Sequence, residues 1–246
     1  MPIAKNFQSI YSQDWEINFT HCTPNGFLKY TELCNLLQLT AGSHAETGGM
    51  SFTDMQHYNQ AWVLSRMRVE IQELPKWRDT VTVSTWIKDI EGARSIRCME
   101  VHIGDRKVAG CETYWAVFNT QTRRAEPLAM PNDHFIRYPE KHATKETFTK
   151  INIDVAATLA TERQVVLSDL DIVNHVNNVK YLEWCLDIVP YKMILSQKLQ
   201  SFDMNFMREL KHADTVQIKQ LETENQSLYT VSKTDKTCFA LQLDWK

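Results

Sequence analysis

Between Ser168 and Trp184 the chain reads SDLDIVNHVNNVKYLEW, and within eleven positions it sets Asp169, Asp171, Asn174, His175, Asn177 and Asn178. A helix start uses one or two Asn, Asp or Ser side chains to satisfy its orphan N–H groups. Six such groups, with an imidazole among them, exceed that need. His175 is a candidate proton donor or acceptor near neutral pH, and Asp171, four residues earlier, is a carboxylate able to orient an imidazole. A helix opening near Val176 would favour negative charge at its start, where it could polarise a carbonyl and stabilise the oxyanion that forms when water attacks. The third candidate is Glu209, in FDMNFMREL, where period two puts Asp203, Asn205, Met207 and Glu209 on one face and Phe202, Met204, Phe206 and Arg208 on the other. Taken singly, a His near a helix start caps or packs, and a surface Glu pairs with a Lys. The eight histidines show no H-E-x-x-H or Cys/His ligand spacing, so neither a metal nor another cofactor is expected.

Elements must hold these groups in place. The cluster lies between an expected strand, residues 164–167, and a helix whose apolar residues Tyr181, Leu182, Cys185, Leu186 and Val189 cover most of its circumference. The segment Tyr30–Ala41 has the same character, with Leu33, Cys34, Leu36, Leu37 and Ala41. Strands follow the first helix: Val63, Met67, Val69 and Ile71 alternate with Arg66, Arg68 and Glu70, and TVTVSTWI at 80–87 is β-branched. LKYTELC at 28–34 resembles VKYLEWC at 179–185 at a spacing of 151, and ELPKWRDTVTV at 73–83 resembles ELKHADTVQI at 209–218, with DTV triplets 135 apart. The order is that of a duplicated unit: a buried helix, then antiparallel strands. The longer connection of the first copy is placed in AGSHAETGGMSFTDMQHYNQ. At the 151 spacing, Asp171, His175 and Asn177 correspond to Thr20, Pro24 and Gly26, so the polar cluster belongs to one copy and marks one site per chain.

Composition limits the alternatives. With 246 residues, 43% hydrophobic and 23% charged, the chain can bury a core, and a net charge of −3 offers no basic surplus for nucleic acid. The six cysteines form no C-x-x-C pair and read as reduced thiols. No apolar run reaches membrane-spanning length, and MPIAKNFQSIYSQDWEINF lacks a basic-then-apolar signal, so a cytoplasmic protein is expected. The polar stretch IRYPEKHATKETFTKINIDVAA, 136–157, reads as a connection. It gives an N-terminal unit at 1–140, a linker at 141–157 and a C-terminal unit at 158–246.

The string DLDIVNHVNNVKYLEW resembles the signature of fatty acyl-ACP thioesterases of plants and bacteria, and LCNLLQLTAGSHAE with WVLSRMRVEIQELPKWRDTVTVSTW resembles their N-terminal helix and first strands. The resemblance implies an α+β fold of two tandem hotdog units, each an antiparallel sheet wrapped around a long central helix. It implies hydrolysis of a fatty acyl thioester on the phosphopantetheine arm of acyl carrier protein, releasing a free fatty acid. Asp171, His175 and Glu209 stand at the family's Asp, His and Glu, with Asn177 and Asn178 at its paired asparagines. Val173 stands where the family has an Asn, leaving Asn174 as the candidate substitute. Leu210 stands where plant members have a Cys, so the expected chemistry is water attack, with Glu209 or His175 as base. Asn174, Asn177 and Asn178 are the expected substrate-binding groups, and the first unit is expected to hold the acyl pocket. Acyl-CoA hydrolysis and non-catalytic acyl-thioester binding are the alternatives, and a monomer or homodimer is expected.

Overall fold

In the computed structural model, which describes residues 3–246, β1 (Ile10–Glu16) leads into the helix α1 (Tyr30–Thr47). Leu33, Cys34, Leu37 and His44 of α1 are all shut off from solvent, as an all-round apolar pattern requires. At 18 residues α1 outruns the expected 30–41 by nearly two turns. The stretch read as a longer connection is the end of α1 plus a short helix, α2 (Phe52–Gln56), whose Ser51 and Asp54 form a capping box. Four strands follow: β2 (Gln60–Ile71), β3 (Thr80–Glu91), β4 (Arg94–Ile103) and β5 (Arg106–Asn119).

The chain divides into one unit of residues up to Ser65 with Gln72–Thr147, and a second of Arg66–Ile71 with Phe148–Lys246. The first holds an antiparallel sheet in the order β1-β3-β4-β5-β2, with α1 against β1 and β3. The second adds β6 (Thr158–Gln164), α3 (Asn178–Leu186), α4 (Tyr191–Leu195), β7 (Leu199–Phe206), β8 (Thr215–Glu222), β9 (Gln226–Lys233) and β10 (Lys236–Trp245). Its sheet runs β7-β10-β9-β8-β6, and the end of β2 pairs with β7, Arg66 opposite Asn205 and Glu70 opposite Ser201. α3 has nine residues, half the length of α1, and Pro190, which has no N–H to donate, follows shortly after it. Each unit is a sheet with a helix on its inner face, the α+β hotdog architecture.

The stretch expected as a linker at 141–157 is a strap divided between the units at Thr147. In the first unit, Ala143 O accepts from Lys107 Nζ and lies so close to Gly110 that a Cβ there would sit 1.8 Å from it. In the second, Thr149 N donates to Asp203 and Ile151 N to Asn205, whose amide returns a bond to Thr149 O. The strap's polar composition gave no periodicity because its backbone, rather than its side chains, makes these contacts. It also shields the polar face of β7: Asp203 is 1% exposed and carries an ion pair to Arg68.

Candidate active site

The expected site residues all fall in the second unit, on the loop before α3 and the loop after β7. The strand expected at 164–167 ends instead at Gln164, and Leu167–Asp169 form a single 3-10 turn. From Leu170 the chain makes a tight hairpin: Asp171 N donates to His175 O at 2.9 Å and Asn174 N to Asp171 O at 3.0 Å. Asn174 sits at φ 61, a left-handed position that Asn tolerates better than most residues, and its side chain is exposed. Asp171 Oδ1 accepts from the backbone N–H groups of Val173 at 3.0 Å and His175 at 3.3 Å. This carboxylate therefore shapes the turn; the acid against the imidazole ring is Glu209. Asn177 caps α3, its Oδ1 accepting from Val179 N at 2.9 Å, and Asn178 is the first helical residue. The helix opens two residues later than expected, and Val176 N–H is already committed to Leu210 O at 2.9 Å.

Glu209 lies beyond the end of β7 rather than in it. Met207 N and Arg208 N both donate to Cys238 O, at 2.8 and 3.1 Å, so two residues oppose one. Such a bulge reverses the side-chain alternation. Strict period two would leave Glu209 on the face of Asp203 and Asn205, under the strap. After the bulge it meets His175, with Nε2 to Oε2 at 3.4 Å. The pair is partly open, the side chains 23% and 31% exposed. Leu210 beside it is fully buried and, through its carbonyl, ties this loop to Val176. Burial pushes the phenol of Tyr181 well above its ordinary value, against the Leu210 backbone, so it stays protonated beside the pair.

Two groups escaped the sequence reading. Asp169 was counted in the cluster but given no role. It is 3% exposed and accepts from Trp184 Nε1 at 3.1 Å, Val166 N at 2.9 Å and Arg163 Nη2, while its carbonyl takes Asn177 N. Arg163 also covers the Trp184 ring, 4.2 Å from its centroid. Tyr181 was read as a packing residue only. The buried indole N–H of Trp184, which needs an acceptor, was the available signal for Asp169.

The first unit repeats this construction without its chemistry. Cys22 bridges Leu28 as Leu170 bridges Val176, Gly26 takes the left-handed place of Asn174, and Leu28 N donates to Pro75 O as Val176 N does to Leu210 O. These equivalences set the helix offset at 148 rather than 151. The sequence match had slipped by three residues, close to one helical turn, which an apolar pattern barely penalises. Asp171, His175, Asn177 and Glu209 thus correspond to Thr23, Phe27, Lys29 and Leu74. The expected counterparts were displaced, but the asymmetry stands: at these places the first unit has Phe27 for the imidazole and Leu74 for the carboxylate.

The first unit also holds a cavity of about 510 Å³ lined by Gly48, Asp54, His57, Met130 and His134 among others. Among the described residues, no cluster of His, Cys, Asp or Glu could hold a metal ion, and no helix is long and apolar enough to cross a membrane.

Two hotdog units in one chain, the second alone carrying the polar helix entrance, make a double hotdog. Residues 8–135 match the model of the acyl-ACP thioesterase N-terminal domain, and residues 153–246 that of the acyl-ACP thioesterase C-terminal domain. The chain belongs to the acyl-ACP thioesterase family. It is 28% identical over 204 residues to an oleoyl-acyl carrier protein thioesterase, chloroplastic, of Coriandrum sativum, covering 75% of this chain and 55% of that one. With a palmitoyl-acyl carrier protein thioesterase, chloroplastic, of Arabidopsis thaliana it shares 28% over 221 residues, covering 81% and 52%. The chain spans about half the length of the curated relatives it matches. Its fold is that of an acyl-ACP thioesterase from Bacteroides thetaiotaomicron, with a TM-score of 0.90 at 24% identity over 97% of this chain and 98% of that one. The 12:0-ACP thioesterase from Umbellularia californica gives 0.81 at 21% identity, covering 97% and 98%.

Proposed function

We propose that the protein hydrolyses the thioester of a fatty acyl group carried by acyl carrier protein, releasing the free fatty acid. Family membership supports the substrate class, and the single observation that carries the chemistry is the 3.4 Å pairing of His175 with Glu209. In this reading Glu209 is the general base, held against His175. It takes a proton from water as the water oxygen bonds to the acyl carbonyl carbon. The C–S bond then breaks, and the proton passes from the pair to the departing sulfur. Asp171 and Asn174 hold the turn that aims the imidazole. Asn177 fixes the start of α3, whose dipole favours the developing negative charge. Leu210 has no nucleophilic atom, and the six thiols are unpaired, five of them buried. Burial pushes the Cys185 and Cys34 thiols far up, away from the reactive thiolate.

Turnover on acyl-ACP and acyl-CoA substrates of graded chain length tests this reading. Faster hydrolysis of the carrier-borne series is expected. Preference for the CoA series would reassign the substrate, and tight binding without hydrolysis of either would make the protein an acyl-thioester binder.

A further inference from the structure

We propose that Tyr181 is a positioning residue for the general base: its phenol holds the Glu209–Leu210 peptide and so keeps the Glu209 carboxylate on the His175 ring. The inference rests on the hydrolase reading and adds the group that fixes its base. Tyr181 leaves the first turn of α3 and is 3% exposed. Its ring packs at the foot of the bulge, 5.1 Å from the Phe239 ring and edge-on to Phe206 at 6.0 Å, with Trp184 at 5.3 Å. Phe206 is the last residue before the bulge, and Phe239 follows Cys238, whose carbonyl takes both bulge N–H groups. The hydroxyl lies beyond the bulge, against the Leu210 backbone. Leu210 is fully buried, and among the described residues no main-chain carbonyl takes its N–H, which faces the phenol oxygen. The ring is thus anchored ahead of Glu209 and the hydroxyl behind it, so one side chain spans the residue that carries the base.

The first unit shows that the fold does not require this phenol. It makes the same bulge, Gln72 N and Glu73 N both donating to Val108 O at 2.9 and 3.2 Å, and the same cross-loop bond from Leu28 N to Pro75 O. At the corresponding places it has Leu33 for Tyr181, Ile71 and Ala109 for Phe206 and Phe239, Leu74 for Glu209 and Pro75 for Leu210. Pro75 has no N–H to give and Leu33 no oxygen to receive one. Donor and acceptor are therefore both missing from the unit without the acid and both present in the unit with it. A buried hydroxyl costs free energy unless it is bonded, so packing alone would be served better by Leu or Phe. Glu209 sits past the end of its strand with a side chain 31% exposed, and a misplacement of about 1 Å in such a group costs on the order of 10²-fold in rate.

Tyr181→Phe tests the proposal, alone and combined with Glu209→Gln, with kcat and KM measured on acyl-ACP and the His175 ring protons followed by NMR. Phe keeps the ring packing and removes only the hydroxyl, so a cooperative melt is expected. Alone it should lower kcat by about tenfold to a hundredfold with KM within about twofold. On the Glu209→Gln background it should cost less than about twofold more, because the two residues act through one group. The His175 ring resonances of Tyr181→Phe should move toward their positions in Glu209→Gln, since both variants take the carboxylate from the ring. Leu210→Pro, which removes the amide and leaves the phenol, should reproduce the fall in kcat. Unchanged kcat in Tyr181→Phe and Leu210→Pro, an equal further loss on the Glu209→Gln background, or ring resonances that stay in place overturns the inference. Near-equal turnover by Glu209→Gln removes the base itself and overturns both readings. If the unmodified protein cleaves no acyl thioester, the hydrolase reading falls and the ring resonances alone decide whether the hydroxyl holds Glu209.

Discussion

Replacing Asp169 with Ala should damage the fold at the point that holds the site together. The substitution leaves the buried Trp184 indole N–H without its acceptor, a loss of about 1–3 kcal/mol. It also removes the anion paired with Arg163. Breaking a fully buried pair costs about 3–5 kcal/mol, but the Arg163 side chain is 29% exposed and regains part of its hydration, so the lower end or less applies. Val166 is exposed, and its freed N–H can turn to water. Together these give about 3–4 kcal/mol. At about 2–4 °C per kcal/mol for a chain of this size, the unfolding midpoint should fall by about 6–16 °C. Asp169→Asn keeps one oxygen for Trp184 but turns an NH2 donor toward Val166 N or Arg163, so roughly half that loss is expected. Asp171→Ala, which loses only two bonds in a partly open turn, should cost about 1 kcal/mol. The assay is urea or thermal unfolding followed by tryptophan fluorescence, which reports Trp184 among the seven tryptophans. An Asp169→Ala midpoint matching that of Asp171→Ala would refute the reasoning.

Burial and the neighbouring Arg97 guanidinium depress the His44 imidazole to about 3, below its ordinary 6.5. The unfolded chain therefore binds a proton there that the folded chain refuses, and stability should fall as pH drops from 6.5 toward 3, by up to about 1.4 kcal/mol per unit. His44→Gln should reduce that slope in pH-dependent denaturation; an unchanged slope contradicts it. Leu33→Ala or Leu37→Ala, at fully buried positions of α1, should cost about 2–5 kcal/mol and move the acyl preference toward longer chains. Leu182→Ala in α3 should cost stability without moving it, and a chain-length profile that shifts only in the α3 variant places the acyl pocket elsewhere. Rapid quench during turnover should reveal no protein mass increased by an acyl group, whereas a trapped acyl-cysteine would replace water attack with covalent catalysis.

The buried helices and the polar cluster were legible because their signals are local: an all-round apolar pattern, and a density of Asn and Asp beyond capping needs. The meeting of His175 with Glu209 was not, because it depends on a bulge at Met207 and Arg208 that no periodicity announces. Alternation alone sends Glu209 to the wrong face. Asp171 was expected at the imidazole since four residues separate them, yet a hairpin with Asn174 at positive φ turns that carboxylate onto backbone N–H groups. The strap was read as a linker for a related reason, since its backbone docks on the Asp203 and Asn205 side chains and its own side chains carry no period.

The central claim is that the His175–Glu209 pair serves hydrolysis and contributes little to folding. Partly exposed and 3.4 Å apart, the pair is worth about 0–1 kcal/mol to stability. As the base unit it is worth about 10²–10⁴ in rate. The most direct test is kcat/KM on acyl-ACP, read by release of the carrier thiol, for the unmodified protein and Glu209→Gln, with the melting midpoint of each measured alongside. The account predicts a fall of about 10²–10⁴-fold in kcat/KM with the midpoint moved by no more than about 4 °C. Near-equal turnover by Glu209→Gln would contradict it.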